Sequence, residues 1–209
     1  PKTMRILSFI FFIITHCHLI GQPIVQFFGL GKSDMISSMV KLEDGGFIFV
    51  GSSTTMSSGG SDLWVMRSDD SLGFIWQRNF GNEPDELGKE IFLNGDDIML
   101  FGQRIASNSN DIWILGIDYQ GNKKWDKVYS FKNKIILHSI EKIDDYGYII
   151  TGEEVTPKNS MQGFIMLLNS RLDFVWKKVY GGKYADGLLQ TRRLKDGFIS
   201  IGYTNSTRE

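Results

Sequence analysis

Short apolar runs recur along the chain at nearly equal intervals. The runs FIFVG, IMLFG, YIITG and FISIG each end in a glycine, and these glycines lie 50 or 51 residues apart. They are Gly51, Gly102, Gly152 and Gly202. A fixed period of this length is the signature of a repeat architecture. The pattern therefore predicts an array of repeats of about fifty residues.

Large aromatic residues keep the same period. A first set follows the glycines and consists of Trp64, Trp113 and Phe164. A second set lies 12 residues further on and consists of Trp76, Trp125 and Trp176. Large apolar side chains at such regular strand positions favour packing between sheets. The alternative is a surface on which sugar rings stack.

Each repeat is predicted to contain four antiparallel strands. In the second repeat they span residues 89–94, 97–103, 111–118 and 123–129, with an acidic, glycine-containing turn at 95–97 that suits a hairpin. The second strands are almost continuously apolar, which indicates burial on both faces. Four such strands per fifty residues are typical of a β-propeller blade, whereas a β-sandwich or an open solenoid remain alternatives. We expect an all-β chain with blades at about 35–80, 87–129 and 135–180, a partial blade at 187–204, and a strand of the fourth type at 24–28.

The first 21 residues have a different composition. Lys2 and Arg5 precede an apolar run, ILSFIFFII, and a small residue, Gly21, follows it. This order is typical of a secretory signal peptide, and the run is too short for the roughly twenty residues of a transmembrane helix. We therefore expect residues 1–21 to be a signal peptide, the protein to be secreted or on the cell surface, and the mature chain to have no transmembrane span. A buried helix, a membrane anchor and lipidation of Cys17 are the alternatives.

Composition narrows the chemistry that the chain can perform. The net charge is −1, so no basic excess supports nucleic-acid binding. Beyond residue 21 there is one histidine, His138, and no cysteine. That argues against a Ser-His-Asp triad, thiol catalysis and histidine-cluster metal sites, and the acidic turns lack the regular aspartate spacing of a calcium loop. We expect no catalytic residues, no metal and no cofactor.

The repeat resembles a known class of exported proteins. The elements are DGFISIG at 196–202, DLW at 62–64 and DIW at 111–113, followed by a Trp strand that ends in an aromatic residue and glycine. This pattern is similar to the repeats of exported bacterial β-propeller proteins over residues 24–204. The resemblance implies the fold and an extracellular location, and says nearly nothing about activity.

A weaker likeness is to the blades of quinoprotein propellers. It rests on Asp118, Gly121 and Trp125. In that family the motif docks neighbouring blades, so the likeness does not imply a quinone cofactor.

Strand direction predicts a functional face. Because strands alternate in direction, the loop after each second strand and the connector after each fourth strand emerge on the same side. Loops on a rigid scaffold often bind ligands. Asp34, Asp85 and Asp186 lie at similar places in these connectors and are the candidate binding residues. The alternative is that they only cap turns.

These features favour a non-enzymatic module that binds a protein or a glycan. The alternatives are a secreted lyase or hydrolase that uses loop carboxylates, and a purely structural array. The repeats amount to three blades and part of another, whereas propellers close with four to eight blades. We expect a piece of a propeller; a four-bladed ring with an incomplete last blade is the alternative.

Overall fold

A computed structural model describes residues 33–55, 57, 59–82, 85–107, 110–156 and 160–206. The predicted signal peptide, with Cys17, and the predicted strand at 24–28 lie outside these residues. Within them the chain forms fourteen strands, all paired antiparallel, and no helix. The expected all-β, antiparallel fold is therefore confirmed. No helix in this part of the chain has the length and apolar character needed to cross a bilayer.

The strands form three four-stranded sheets and one two-stranded sheet, each in sequence order. Sheet 1 contains β1 (Asp34–Lys41), β2 (Phe47–Ser53), β3 (Asp62–Ser68) and β4 (Phe74–Phe80). Sheet 2 contains β5 (Asp85–Asn94), β6 (Asp97–Ile105), β7 (Asn110–Ile117) and β8 (Lys123–Tyr129). Sheet 3 contains β9 (Ile135–Ile143), β10 (Gly147–Val155), β11 (Met161–Asn169) and β12 (Phe174–Tyr180). Sheet 4 contains β13 (Asp186–Leu194) and β14 (Gly197–Thr204).

The first strand of each sheet carries a bulge beside a repeat glycine. In the ladder of β1 with β2 the register shifts between Ile36 and Ser38, next to Gly51. A Cβ added to Gly51 would lie 1.8 Å from the carbonyl oxygen of Met35, and one added to Gly152 would lie 2.1 Å from that of Ile136. A side chain at either position would overlap the neighbouring backbone. The fifty-residue glycine period thus reflects the close approach of the first two strands.

The turns between the third and fourth strands share one hydrogen-bond pattern. In sheet 2, Asp118 Oδ1 accepts from the backbone N–H groups of Gln120, at 2.9 Å, and Asn122, at 2.8 Å. Asp69 in sheet 1 and Asn169 in sheet 3 accept from the same relative positions. The third residue after this Asp or Asn has positive φ in every case: Leu72 (64°), Gly121 (84°) and Leu172 (61°). An Asp or Asn that bonds the following backbone explains why this turn recurs although its sequence varies.

Neighbouring sheets pack face to face. One apolar cluster joins sheets 1 and 2 and includes Val50, Leu63 and Leu100, all fully buried. A second cluster joins sheets 2 and 3 and includes Phe101 and Phe164. The second strands of the full sheets are buried on both faces, and those of sheets 2 and 3 lie between two neighbouring sheets. The arrangement is consistent with propeller blades, although the described residues form no closed ring.

The repeated tryptophans fall into two structural groups. Trp64 and Trp113 are buried, whereas Trp76, Trp125 and Trp176 are half-buried. Trp76 lies on the outer strand of sheet 1, and its indole N–H donates to the carbonyl of Tyr119 in sheet 2 at 3.2 Å. The turn of one sheet therefore docks on the tryptophan of the sheet before it.

Candidate functional site

The loops and connectors expected on one side do contact one another. The backbone N–H of Ser61, after the β2–β3 loop, donates to Asp85 Oδ1 at 2.7 Å, and the N–H of Glu86 donates to the Ser61 carbonyl at 2.6 Å. Between sheets 3 and 4, Gln162 Nε2 donates to the Tyr184 carbonyl at 3.0 Å. We call this side of the sheets the loop side.

The three aspartates predicted from the sequence begin β1, β5 and β13, in three different sheets. Asp34 accepts from the hydroxyl of Ser53 at 2.5 Å, and Asp85 accepts from the backbone N–H of Ser61. Both carboxylates thus bond the local loop structure. This geometry fits turn capping, the alternative raised for these residues, and their role in ligand binding stays a prediction.

Asp186 is the most strongly held of the three. Its side chain accepts from the hydroxyl of Thr204, from the Gly182 N–H at 2.7 Å and from the Ser206 hydroxyl at 2.8 Å. The Thr204 bond and then the Gly182 bond lower the pKa of Asp186 to about 2. The charged Asp186 side chain therefore holds the connector that leads into sheet 4 in place through these hydrogen bonds.

By strand register, the residue of sheet 2 that is equivalent to Asp34 and Asp186 lies one position after Asp85. Asp34 pairs with Ser53, two residues after Gly51, and Asp186 pairs with Thr204, two residues after Gly202. Two residues after Gly102 is Arg104, and its partner in the ladder is Glu86. Glu86, not Asp85, therefore occupies the position of Asp34 and Asp186.

Glu86 lines a cleft of about 330 Å³ between sheets 1 and 2 on the loop side. We call it the Glu86 cleft. Its walls come from the end of β4 and its connector, the start of β5, the end of β6, and β7 and β8. The lining residues are Asn79, Phe80, Gly81, Asn82, Glu86, Arg104, Trp113, Lys123 and Asp126.

The carboxylate of Glu86 is almost fully buried yet incompletely bonded. The residue is 1% exposed. Its Oε2 accepts from the Asn82 N–H at 3.4 Å, while Oε1 lies 3.5 Å from Arg104 Nε and accepts no hydrogen bond. Burial raises the pKa of Glu86, and the nearby Asp62 adds to the rise. A buried acceptor that lacks a hydrogen bond favours any ligand group that can donate one.

Asp62 brings a second buried carboxylate close to Glu86, next to Gly81 of the cleft wall. It is the first residue of β3 and is 2% exposed. A Cβ added to Gly81 would lie 2.6 Å from both Asp62 Oδ1 and Glu86 Oε2. The two carboxylates therefore approach each other across Gly81, and the missing side chain at residue 81 leaves the space that both occupy.

The opposite wall is a fixed network of charges around Trp113. The indole N–H of Trp113 donates to Asp126 Oδ2 at 3.0 Å, and Lys123 Nζ lies 2.8 Å from Asp126 Oδ1. These two partners, Lys123 first, lower the pKa of Asp126. The Arg104 guanidinium lies 5.5 Å from the centre of the Trp113 ring, within the range of a cation–π contact. Arg104 is thereby held between the indole and the Glu86 carboxylate.

The combination of a carboxylate and a guanidinium is specific to sheet 2. At the same two register positions sheet 3 has Ile135 and Glu154, and sheet 4 has Asp186 and Thr204. His138 lies in β9, 3.0 Å from Glu153 Oε1, and is not among the residues that line the cleft. The repeat therefore supplies the scaffold, while departures from the repeat supply the site.

A second cleft, of about 360 Å³, lies between sheets 2 and 3 beside the turns. Its ionisable residues include Asp97, Asp126 and Lys127, whose side chains are 21%, 35% and 39% exposed. Asp97 and Lys127 already have ion-pair partners in Lys124 and Asp173, and solvent screens partly exposed pairs of this kind. The Glu86 cleft, with its buried carboxylates, is the stronger candidate.

The sequence alone does not predict a role for Glu86, Arg104, Asp62 or Asp126. One signal is present: the second residue after the repeat glycine is Ser53 or Thr204 in two repeats, but Arg104 and Glu154 in the other two. A charged side chain in place of a hydroxyl marks a departure from the repeat. Its partner could be identified only from the strand register.

No protein-family model matches the chain, and no curated protein matches it in sequence. The residues of the cleft themselves indicate which ligands it can bind. Buried carboxylate oxygens accept hydrogen bonds, the Arg104 guanidinium and the Asn82 side chain donate them, and Trp113 gives an apolar wall. Neutral ligands that carry several hydroxyl groups match this mixture of acceptors and donors.

Proposed function

We propose that the protein is a secreted or cell-surface β-propeller module, without enzymatic activity, that binds a glycan in the Glu86 cleft. The face-to-face packing of four-stranded sheets supports the propeller arrangement. The composition of residues 1–21 supports export. The observation that carries the binding proposal is the buried Glu86 carboxylate, which belongs to a residue that lines the cleft and whose Oε1 accepts no hydrogen bond.

The size of the cleft favours a glycan over a protein ligand. A volume of about 330 Å³ lies at the lower end of small-ligand sites, whereas a protein interface of ordinary size buries about 800 Å² on each partner. One or two sugar residues would place hydroxyl groups against Glu86 and Arg104. A short protein loop that enters the cleft is the alternative ligand.

The test is a binding screen followed by a matched pair of substitutions. The purified chain is screened on a glycan array, and hits are measured by calorimetry. Glu86→Gln should weaken binding by about tenfold or more, because a hydrogen bond to a charged group contributes roughly 1.5–3 kcal/mol. Asp85→Asn alters the adjacent carboxylate, which does not line the cleft, and should keep the affinity within about threefold. Equal losses in the two variants would refute the assignment of the site.

One observation favours a second function. Glu86 has a raised pKa and lies beside the buried Asp62, and pairs of carboxylates in different environments perform acid–base catalysis in glycosidases and other enzymes. A secreted hydrolase or lyase is therefore the alternative. Mass spectrometry of each bound glycan after incubation separates the two, because only an enzyme releases products, and Glu86→Gln would abolish that release.

A further inference from the structure

The packing of sheet 1 on sheet 2 brings together two carboxylates, where the other pairs of neighbouring sheets bring one. In the third strands of the full sheets, one position pairs with the second residue after the repeat glycine. It is held by Asp62, Asp111 and Gln162. At the position of Glu86, the following sheets carry Glu86, Ile135 and Asp186. Two carboxylates are therefore combined between sheets 1 and 2 alone among these three contacts.

The contact of sheets 3 and 4 combines a carboxylate with an amide at the same place. A Cβ added to Gly181 would lie 2.0 Å from Gln162 Oε1 and 2.8 Å from Asp186 Oδ2. The amide is neutral, and its Nε2 donates to the carbonyls of Gly182, at 3.2 Å, and Tyr184, at 3.0 Å. The charged Asp186 therefore has a neutral neighbour in this contact.

The contact of sheets 1 and 2 repeats this geometry with a second charge. Gly81 follows β4 as Gly181 follows β12, and a Cβ added to it would lie 2.6 Å from both Asp62 Oδ1 and Glu86 Oε2. Asp62 and Glu86 are 2% and 1% exposed, so water screens the repulsion between them poorly. Arg104, 3.5 Å from Glu86, supplies one positive charge. When both carboxylates are ionised, these three side chains carry a net negative charge.

The other charged pair of the cleft does not offset this negative charge. Lys123 Nζ lies 2.8 Å from Asp126 Oδ1, so these two side chains neutralise each other. A further positive charge is therefore favoured beside Glu86. A proton on Glu86 is one source, and burial and the nearby Asp62 raise the pKa of Glu86 in that sense. A cationic group of the ligand is the other source.

We propose that the glycan bound in the Glu86 cleft carries a protonated amino group, as an amino sugar does, and that this group bonds the Glu86 carboxylate beside Asp62. The inference rests on the proposed glycan-binding function. An ammonium group donates up to three hydrogen bonds and brings the positive charge that two carboxylates and one guanidinium lack. A hydroxyl or an acetylated amine brings no charge. Gly81 is exposed and lines the cleft, so a small group of the ligand can approach the carboxylates there.

The test compares three oligosaccharides of equal length and linkage by calorimetry. They are oligomers of glucosamine, N-acetylglucosamine and glucose, which carry an ammonium, an acetamide or a hydroxyl group at the same ring carbon. The glucosamine oligomer should bind at least about tenfold more tightly than the other two, because an ion pair with a buried carboxylate is added to the hydrogen bond. The other hydroxyl groups are shared by all three oligomers and cancel in the comparison.

Two variants each remove one of the two carboxylates. Asp62→Asn and Glu86→Gln should each weaken binding of the glucosamine oligomer by about tenfold, and by more than they weaken binding of the neutral oligomers. A purely structural role of either residue would not change this preference. Asp85→Asn, the control, removes an exposed carboxylate that does not line the cleft and should keep the wild-type preference. If thermal unfolding shows that Asp62→Asn is not folded, Glu86→Gln decides.

The outcomes separate this inference from the proposed function. A glucosamine oligomer that does not bind, or binds no more tightly than the neutral oligomers, would overturn the inference, and so would an unchanged preference in the folded variants. In those cases a glycan found on the array still supports binding in the cleft. A lysine peptide of equal charge that binds as tightly would also overturn it, because the sugar would then not be recognised. An array on which no glycan binds would refute the proposed function itself.

Discussion

Glu86 lies opposite Arg104 in the ladder of β5 and β6, with Oε1 3.5 Å from Arg104 Nε. The same two register positions are held by Asp34 and Ser53 in sheet 1, and by Asp186 and Thr204 in sheet 4. Where those sheets have a carboxylate and a hydroxyl that hydrogen-bond each other, sheet 2 has an ion pair at the wall of a cleft. The difference indicates that Glu86 has a role other than holding the adjacent connector by a hydrogen bond to a hydroxyl.

Glu86→Gln should not destabilise the protein at neutral pH. Because burial raises the pKa of Glu86 in the folded state above its value of about 4.3 in an unfolded chain, the folded protein binds the proton more tightly. Wild-type stability therefore decreases as the pH rises from the unfolded pKa through the folded pKa. A neutral glutamine removes this loss. Denaturant unfolding between pH 4 and pH 8 should show a free energy of unfolding for the variant that is at least equal to that of the wild type at pH 7.

Measuring both ligand binding and stability in Glu86→Gln distinguishes a binding role of Glu86 from a structural one. A residue whose replacement weakens binding without lowering stability belongs to a binding site rather than to the core. A large loss of stability in Glu86→Gln at pH 7 would instead show that the ion pair with Arg104 is structural.

The contribution of Asp186 to stability depends on pH in the opposite direction. Its pKa of about 2 lies below the value of about 3.9 in an unfolded chain, so its contribution is complete above pH 4 and is lost as the pH falls towards 2. Asp186→Asn should lower the free energy of unfolding at pH 7 by about 1–3 kcal/mol, because hydrogen bonds to a charged acceptor are lost. Its stability should also fall less steeply than that of the wild type between pH 4 and pH 2.

The control is Asp196→Asn, which changes an exposed turn residue in the same sheet. Its stability at pH 7 should stay within about 0.5 kcal/mol of the wild type. If both variants lose the same stability at pH 7 and show the same pH dependence of stability between pH 4 and pH 2, the hydrogen bonds around Asp186 do not stabilise the protein.

The repeat period in the sequence predicted the strands well where packing and turns determine them. The expected fourth strand of the second repeat, 123–129, coincides with β8. The expected first strand, 89–94, begins four residues late, because β5 starts at Asp85 and continues through a bulge at Lys89. A bulge interrupts the alternation of side chains, so the sequence pattern stops there although the hydrogen-bonded ladder does not.

The sequence pattern does not predict the residues of the site, for a related reason. A shift of one residue in register exchanges Asp85 for Glu86, and only the ladder shows which of the two points into the cleft. The cleft also joins Asn79, Glu86, Arg104 and Asp126, which come from two sheets and are spread over more than forty residues. Sequence spacing does not indicate such a meeting.

Substitution of a repeat glycine should destabilise the protein, because the added Cβ would overlap the neighbouring backbone. Gly152→Ala would place a Cβ 2.1 Å from the Ile136 carbonyl oxygen, so the first two strands of sheet 3 must separate. We expect a loss of about 1–3 kcal/mol, the usual cost of forcing atoms into a packed region. Gly197→Ala is the control, since its Cβ would meet no atom within 4 Å, and thermal unfolding should show little change. Similar melting temperatures for the two variants would contradict the explanation of the glycine period.

The docking of turns on tryptophans predicts that equivalent tryptophans differ in importance. Trp76 donates to the Tyr119 carbonyl of sheet 2, and a Cβ on Gly121 would lie 3.0 Å from the Trp76 ring, so the ring packs against the neighbouring turn. Trp176 holds the same register position in sheet 3, but the described part of sheet 4 contains only β13 and β14 and supplies no such turn.

Trp76→Phe should therefore lower the free energy of unfolding by about 1–2 kcal/mol, because a hydrogen bond and part of a packed ring are lost. The loss is limited because Arg67 Nη1 still donates to the Tyr119 carbonyl, at 2.9 Å. Trp176→Phe, the matched control, should change stability by less than about 0.5 kcal/mol. Urea unfolding followed by circular dichroism measures both. Equal losses would mean that each tryptophan stabilises its own sheet, and that the contact between Trp76 and the turn of sheet 2 adds nothing.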